Sequence, residues 1–434
     1  MIRTLPLLAF CALLAASLHP AAAAPGVRND APTDALLGRR LDIFDFVWAE
    51  IRQRYYDPGL NGVDWLAVRG HYRPLVAAAA TEADFYALLR RMTAELRDAH
   101  TRVLTPEQAR DRRADRTSSA GVILFEVEGQ SVIFAVRPGS PAANAGLRPG
   151  MAVTAVDGVP IAAALARAAA EIGPSSSQRA AKVLAYLHVV AGSASLPLRL
   201  EIAVGGGSRR TVTLLREQRQ PAPRFEARLL PSGALYVRFD RFEPPVARLL
   251  RATLRDHPDA SGLILDLRAN GGGDGREGMR AIAPLLVGST PIARLHTRTG
   301  RAPSALLGLI RLPLELHAGG RGGQIFAGPV VVLTNEGTGS TSEVIAAALQ
   351  ERGRARIVGA RTCGCALGVL RRRRLPDGGA LAISEVGLVT GMGRRIEGEG
   401  VVPDLPVELR LADLRAGRDP VLEAGVEALR ATGQ

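Results

Sequence analysis

The first third of the chain carries apolar residues at helical spacing. Intervals of three and four residues predict an amphipathic helix that begins near Leu41. After a break at Pro58–Gly62, the pattern resumes over Val63–Leu96, which predicts a helix pair whose later member starts at Thr81. The apolar positions of the first helix are Leu41, Phe44, Val47, Trp48 and Ile51.

Short strands replace helices in the middle of the chain. Two apolar runs, 121–127 and 131–136, predict neighbouring strands. A segment rich in proline, glycine and alanine, 138–150, then precedes a strand that carries Asp157-Gly158. A helical stretch, 161–190, is interpreted as an insertion before two closing strands. The closing strands are predicted at 198–204 and 211–215.

This middle segment resembles the PDZ domain in its order of strands, small-residue helix and turn. The resemblance implies that an extended peptide pairs with an edge strand and that its terminal carboxylate meets backbone N–H groups. The loop that would receive the carboxylate corresponds to Ala120, Gly121 and Val122.

Strands and helices alternate in the second half of the chain. Strands are predicted at 235–239, 262–267, 330–334 and 355–358. The intervening helices are predicted at 244–257, 275–286 and 341–352. Alternation of this kind predicts an α/β layer arrangement, whereas 289–328 is predicted to be rich in loops.

These patterns together predict a multidomain α+β protein. The predicted units are a signal peptide (1–24), a linker (25–40), an N-terminal helical region (41–112), a PDZ-like domain (118–217) and an α/β core (224–432).

The N-terminus has the composition of a secretory signal. Arg3 precedes an apolar run, 5–18, and small residues at 21–24 offer a cleavage site. The apolar run is shorter than the roughly 20 residues of a membrane span. We therefore expect a periplasmic or secreted protein without an integral membrane segment after signal removal.

The net charge of +13 does not by itself indicate a nucleic-acid partner. The basic residues are interspersed with many acidic ones, and no basic stretch alternates with aromatic residues. The densest patch, Arg371–Arg374, is interpreted as a solvated strand face. Lys182 is the only lysine in the sequence, and arginine cannot serve as a general base because it stays protonated.

The cysteines predict no metal centre. Cys363 and Cys365 are separated by one residue, so a disulfide between them would be strained, although an oxidising compartment would permit it. Two cysteines and scattered histidines lack metal-site spacing. We expect neither a metal nor another cofactor.

Ser340 is the strongest candidate nucleophile, because it stands directly between a buried strand and a helix. The helix N-terminus would place free N–H groups beside a developing oxyanion. Ser340 and Glu343 also fit a capping box, which would give Ser340 a purely structural role. A second glycine-rich turn, Gly271–Gly273, ends another buried strand and exposes its amides to a ligand.

The order of the motifs resembles the carboxyl-terminal processing peptidases, or tail-specific proteases, and the related tricorn core proteases. The motifs are Asp98-x-His100-Thr101, the PDZ-like unit, Asp266-x-Arg268-x-Asn270-x-Gly272-Gly273, Gly339-Ser340-x-Ser342-Glu343 and Gly400-Val-Val-Pro-Asp404. The resemblance covers nearly all of the chain after the signal. It implies a serine endopeptidase with a core related to ClpP and crotonase, acting on unfolded polypeptides or their C-terminal tails.

The sequence departs from the processing peptidases at the lysine of their serine–lysine dyad, since Cys365 stands in that slot. The tricorn-like branch uses histidine and glutamate instead, and the matching positions here are His100 and Glu397. Tricorn also has a serine just before its histidine, where this chain has Ala99. By the same resemblance, the oxyanion hole would be formed by the amides of Gly272 and Thr341.

Several alternatives remain open at this stage. Ser342 competes with Ser340 as nucleophile, and Glu399 competes with Glu397. Cys365 is a possible thiol nucleophile. The missing lysine also allows a catalytically inactive, PDZ-type peptide-binding protein on a peptidase fold.

Overall fold

The computed structural model describes residues 34–114, 118–205, 208–218, 223–302, 304–305, 310–311, 313–320 and 325–432. Within these residues the fold is mixed α+β, as predicted, with twelve α-helices and several separate sheets. The predicted signal peptide lies outside the described residues. No helix in the described ranges is long and apolar enough to cross a membrane.

The first helix starts earlier than its amphipathic pattern suggests. It begins at Asp34, so the linker predicted over 25–40 is wrong from Asp34 onward; the residues before it lie outside the described ranges. Alanine, leucine and arginine favour a helix there, and Arg40 is buried, with Nη1 donating to the carbonyl oxygen of Ala79 at 2.5 Å. Helix formers and one buried contact therefore extend the helix beyond its apolar stripe.

Thr81 begins the later helix of the pair, as predicted, through a capping box with Asp84. The elements of this part are α1 (Asp34–Arg54), α2 (Trp65–Ala77), α3 (Glu82–Ala94), β1 (Arg102–Leu104) and α4 (Pro106–Arg113), with a 3₁₀ turn at Leu60–Gly62.

The middle of the chain folds around its own apolar cluster. The predicted helical stretch over 161–190 forms two helices, because Gly173 adopts φ 74° and ends the first of them. The elements are β2 (Ser118–Ser119), β3 (Val122–Val127), β4 (Gln130–Val136), α5 (Pro141–Asn144), β5 (Val153–Val156), β6 (Val159–Pro160), α6 (Ile161–Ile172), α7 (Gln178–Val190), β7 (Leu198–Gly205), β8 (Ser208–Leu214) and β9 (Glu217–Gln218).

The C-terminal part contains a six-stranded sheet. Its elements begin with β10 (Phe225–Leu229), β11 (Leu235–Phe239), α8 (Val246–Asp256), β12 (Leu263–Asp266), α9 (Gly275–Ile282), β13 (Ser289–Thr297), β14 (Ser304–Ala305), β15 (Ile310–Arg311), β16 (Glu315–Gly319), β17 (Val330–Thr334) and α10 (Thr341–Glu351). They continue with β18 (Arg356–Gly359), β19 (Arg372–Arg374), β20 (Ala380–Ala382), β21 (Val386–Thr390), β22 (Leu405–Pro406), α11 (Leu411–Ala416) and α12 (Pro420–Thr432).

Parallel pairing in this sheet brings the two candidate motifs together. The strand order is β10-β11-β12-β17-β18-β22, and every pair except β10–β11 is parallel. Because β12 and β17 are parallel neighbours, their carboxyl ends meet at one edge. The glycine turn after β12 and the Ser340 turn after β17 therefore lie side by side.

The segment predicted to be rich in loops, 289–328, contains four strands among its described residues that the sequence did not reveal, namely β13, β14, β15 and β16. β13 and β16 pair with each other, and β13 also pairs with β21. A bulge between Pro291 and Ala293 interrupts the alternation of β13, which removes the period-two signal on which strand prediction rests.

Candidate active site

Ser340 adopts a backbone conformation that non-glycine residues rarely take. Its φ is 53° and its ψ is −124°, outside the regions favoured by residues with a Cβ atom. Its N–H donates to the carbonyl oxygen of Cys365 at 3.0 Å, which holds the turn in place. Non-glycine residues in such conformations often occur at functional sites.

Ser340 stands at the N-cap of α10 in the predicted capping-box arrangement with Glu343, although its hydroxyl makes no capping hydrogen bond of normal geometry. The carboxylate side of the box is bonded, since Ser340 N donates to Glu343 Oε2 at 3.1 Å. Glu343 N donates to the Ser340 backbone carbonyl at 2.9 Å. Ser340 is partly exposed, and no capping hydrogen bond of normal geometry occupies its hydroxyl.

Ser342, the alternative nucleophile, faces the interior. It is completely buried, and its Oγ donates to Asn270 Oδ1 at 3.0 Å. A substrate would reach Ser340 without displacing a core contact, whereas Ser342 would first have to leave its partner. The geometry thus favours Ser340.

The two predicted oxyanion donors lie against each other, but they are not equally available. A Cβ added to Gly272 would lie 2.6 Å from Ser340 Cβ and 2.9 Å from Thr341 N, so only glycine fits there. Within the described residues Thr341 N has no hydrogen-bond acceptor. Gly272 N donates to Asn270 Oδ1 at 3.0 Å, and would have to share or release that bond to bind an oxyanion.

Glu343 anchors the loop that carries the two cysteines. Its carboxylate is fully buried and accepts four hydrogen bonds. The donors are Ser340 N at 3.1 Å, Thr362 Oγ1 at 2.5 Å, Gly364 N at 2.7 Å and Cys365 N at 2.9 Å. Burial raises the pKa of Glu343, and these donors oppose that rise. The loop and the Ser340 turn are therefore tied together by one carboxylate.

Replacing Glu343 by glutamine is expected to loosen this loop. The amide NH₂ of glutamine would face N–H donors, and a buried donor without a partner costs about 1–3 kcal/mol. We expect the Glu343→Gln variant to lose stability of that order in urea unfolding. Glu336→Gln is the matched control, since Glu336 is half-exposed and its one ion pair among the described residues is a 4.0 Å contact with Lys182. Equal loss in both variants would contradict the anchoring role.

The two cysteines form a disulfide with each other. Cys365 therefore carries no thiol, and the hypothesis of a Cys365 nucleophile is wrong for this state because the thiolate is the attacking species. Their sulfur atoms and a Glu343 oxygen lie within 4.8 Å of one another. The sulfurs are bonded to each other and the carboxylate is saturated with donors, so this cluster is not arranged to hold a metal.

Glu397 and Glu399 differ in burial and in their contact with the cysteine loop. Glu397 is buried, and its Oε2 accepts from Ala366 N at 2.6 Å, next to Cys365. Burial raises the pKa of Glu397 to about 8, an effect opposed by a hydrogen bond from Ser176. Glu399 is exposed.

His100 lies after α3 but is not bonded to the other two candidates. Its backbone N–H donates to Asp98 Oδ1 at 2.6 Å, while its ring Nδ1 is buried without a hydrogen-bond partner among the described residues. Burial lowers the pKa of His100 to about 4, against an opposing contribution from Asp98. The structure records no hydrogen bond from the ring to Ser340 or Glu397.

The loop that carries the two cysteines, residues 362–366, contacts Ser340, Glu397 and the neighbour of His100. Ala99, next to His100, packs with Cys363. Glu397 accepts a hydrogen bond from Ala366 N, and Ser340 N donates one to the carbonyl oxygen of Cys365. His100, Glu397 and Ser340 thus converge on one loop without forming a connected triad.

Helix α7 reaches this loop from the middle of the chain, a contact that sequence reasoning missed. Ser177 Oγ donates to the carbonyl oxygen of Cys363 at 2.5 Å, and Arg179 Nε donates to that of Thr362 at 2.7 Å. Ser176 Oγ accepts from Ala99 N at 3.0 Å. No motif spacing reveals these residues, because they lie in the predicted insertion.

Lys182, on the same helix, does not act near Ser340. Its Nζ lies 3.0 Å from Glu126 Oε1 and 4.0 Å from Glu336 Oε2. Its ammonium group therefore faces carboxylates of the middle part and of the segment before Ser340, and the structure records no hydrogen bond from it to Ser340.

The predicted peptide-binding loop begins β3 and is tightly packed. A Cβ added to Gly121 would lie 2.2 Å from Ser140 Cβ. Gly121 N donates to Ser119 Oγ, and the carbonyl oxygen of Ala120 accepts from Ala142 N. Among the described strands β3 pairs only with β4, so its other edge has no strand partner there.

Comparison with known proteins identifies related chains. Residues 233–407 match the model of peptidase family S41, and residues 39–94 match that of the tricorn protease C1 domain. A carboxyl-terminal-processing protease from Synechocystis sp. is 27% identical, with 88% of this chain and 85% of that protein covered. Tricorn protease homolog 1 from Streptomyces coelicolor is also 27% identical, but this chain covers only 34% of its length.

A solved structure also matches. The photosystem II D1 C-terminal processing protease superposes with a TM-score of 0.59 at 26% identity, covering 91% of this chain and 97% of that one. The similarity therefore extends over most of both chains.

Proposed function

We propose that this chain, which belongs to peptidase family S41, is an exported serine endopeptidase that cleaves unfolded or tail-presented polypeptides. Ser340 is the proposed nucleophile. The conformation of Ser340 carries this proposal: a non-glycine residue at φ 53° presents its hydroxyl beside the unbonded Thr341 amide. The relatives named as processing proteases support the polypeptide substrate.

The proposed chemistry is acyl transfer. The Ser340 hydroxyl attacks the peptide carbonyl carbon, His100 accepts its proton, and the oxyanion meets the amides of Thr341 and Gly272. The protonated His100 then donates to the leaving amine, and water hydrolyses the acyl-enzyme. A neutral His100 at pH 7 fits the role of base. The ring must approach Ser340 when substrate binds, because hydrogen bonds at such sites often form only in the complex.

Two further parts of the proposal concern substrate delivery and location. The middle part is proposed to be a PDZ-like domain in which a peptide pairs with the edge of β3 that has no strand partner among the described residues. The C-terminal part is proposed to be a ClpP/crotonase-like core. The secretory composition of residues 1–24 supports a periplasmic or secreted location.

The second candidate function is an inactive peptide-binding protein on the same fold. Two observations favour it: a disulfide occupies the slot of the dyad lysine, and the His100 ring is not bonded to Ser340.

A fluorophosphonate probe distinguishes the two candidates. The purified protein is treated with the probe, digested and mapped by mass spectrometry, in parallel with cleavage of an unfolded polypeptide. We expect one adduct, on Ser340, together with cleavage. An adduct on Ser342 would refute the assigned nucleophile. Absence of both adduct and cleavage, with a known serine peptidase labelled alongside, would establish the binding protein instead.

A further inference from the structure

A cleft of about 520 Å³ lies beside a small sheet formed by β1, β20 and β19. Helix α4 forms its other wall. We call it the arginine cleft, because its lining includes the five arginines Arg112, Arg113, Arg372, Arg373 and Arg374. None of the described residues that line it is acidic. The run at 371–374 is therefore part of a concave surface and not only a solvated strand face.

The strand register explains how the arginines converge. Arg372 pairs with Ala382, which pairs with Arg102, while Arg374 pairs with Ala380. Alternation along β19 turns Arg372 and Arg374 to one face. Ala380 and Ala382 on the central strand β20 have small side chains, so they leave space between the arginine side chains of β19 and that of Arg102 on β1.

The cleft arginines have few negative partners. Arg373 points to the opposite face, where it pairs with Glu50 and Glu385. Arg112, Arg372 and Arg374 make no ion pair among the described residues, although the described chain contains many such pairs elsewhere. Three of the five lining arginines thus carry positive charge without an ion-pair partner in the described part of the chain.

The guanidinium groups of Arg112 and Arg372 repel each other across the arginine cleft. Burial and the positive charge of Arg112 lower the pKa of Arg372. An anion placed between the two guanidinium groups would relieve that repulsion and accept charge-assisted hydrogen bonds.

The backbone of β19 suggests what kind of anion fits. Among the described strands β19 pairs only with β20, so its other edge offers free N–H and C=O groups. Side chains two residues apart on a strand are separated by about 6.7 Å. An extended peptide with acidic residues at alternate positions matches both the edge and the spacing of Arg372 and Arg374.

We propose that the arginine cleft binds an acidic segment of a polypeptide in extended form, along the free edge of β19, with alternate Asp or Glu side chains facing Arg372 and Arg374. The Arg102 guanidinium, in the same sheet, donates to the carbonyl oxygen of Ala99, one residue before His100. A bound acidic segment would therefore lie on the sheet that leads to the candidate active site. Binding itself requires no catalysis by Ser340.

Fluorescence anisotropy on the Ser340→Ala protein tests the proposal apart from catalysis. The probe is a labelled peptide with glutamate at alternate positions; comparison peptides have the same composition with the glutamates in one block, or lysine in place of glutamate. We expect the alternating peptide to bind more tightly than both. We also expect the Arg372→Gln, Arg374→Gln double variant to weaken it about three- to thirtyfold, since two exposed ion pairs are lost.

Arg248→Gln, Arg255→Gln is the matched control, because it removes the same charge from α8 at exposed positions. Its binding is expected to stay within about twofold of the parent at moderate salt. Equal weakening in both double variants, or equal affinity for alternating and blocked peptides, would overturn the proposal. If inorganic phosphate displaced the labelled peptides and the alternating peptide bound no more tightly than the comparison peptides, the cleft would be a general anion site. That result would also overturn the proposal. Arg112→Gln, on the opposite wall, provides a second variant and is likewise expected to weaken binding.

Discussion

Replacing Ser340 by alanine is expected to reduce peptide cleavage by about 10⁴–10⁶-fold, the scale of removing a serine nucleophile. Alanine keeps the Cβ atom and removes only the hydroxyl, which makes no hydrogen bond of normal geometry at the start of α10 or elsewhere among the described residues. The free energy of unfolding should therefore change by less than about 0.5 kcal/mol. The measurements are kcat/KM for an unfolded polypeptide and a urea unfolding curve on the same preparation.

Ser342→Ala is the control for this prediction, since it removes a serine hydroxyl two residues away. It deletes the buried hydrogen bond to Asn270, which should cost about 1 kcal/mol of stability, while most of the activity remains. The two variants thus separate chemistry from packing. If Ser342→Ala abolished cleavage and Ser340→Ala did not, the nucleophile would be misassigned.

The sequence predicted the strands and turns that carry the site better than the side-chain contacts within it. The strands at 235–239 and 330–334 were predicted with the bounds that the structure shows, because continuous buried apolar runs are typical of parallel strands. The position of Ser340 between strand and helix, and its closeness to the glycine turn, follow from the adjacent parallel strands β12 and β17. Periodicity thus carries enough information to place these turns.

Contacts between residues that are far apart in the sequence could not be predicted from periodicity. Glu343 was interpreted as one half of a capping box, yet it also binds Thr362, Gly364 and Cys365. Asn270 was one member of a motif, and only the structure shows that its Oδ1 occupies the Gly272 amide. These roles depend on which loops meet in space. Spacing along one segment cannot encode that information.

The His100 ring is not hydrogen-bonded to Ser340, and contacts of the same loop bear on this. The loop accepts a hydrogen bond from Ser340 N and donates one to Glu397, and residues at the start of α7 hold it by hydrogen bonds to Cys363 and Thr362. If α7 moves with a bound peptide, the loop loses these donors at the same time. Substrate binding and assembly of the catalytic groups would then be one event, as in enzymes whose closure completes the site.

The pH dependence of cleavage tests His100 and Glu397 together. His100 acts as a base only when neutral, so kcat/KM should fall as the pH drops through about 4, where the imidazole gains its proton. Glu397 is protonated below about 8, and above that pH its carboxylate would stabilise the imidazolium that forms during the reaction. We therefore expect a second rise in kcat/KM near pH 8.

Variants assign each of these steps to its residue. His100→Ala should lower kcat/KM at pH 7 by about 10²–10⁴-fold, the usual contribution of a general base, and remove the acid step from what activity remains. Glu397→Gln should leave the rate at pH 7 nearly unchanged, because the acid is already neutral there, but should abolish the rise near pH 8. Glu399→Gln, at an exposed position, is the control and should keep both steps. An unchanged rate in His100→Ala would exclude His100 as the base, and an upper step that survives in Glu397→Gln would exclude Glu397 as its supporting carboxylate.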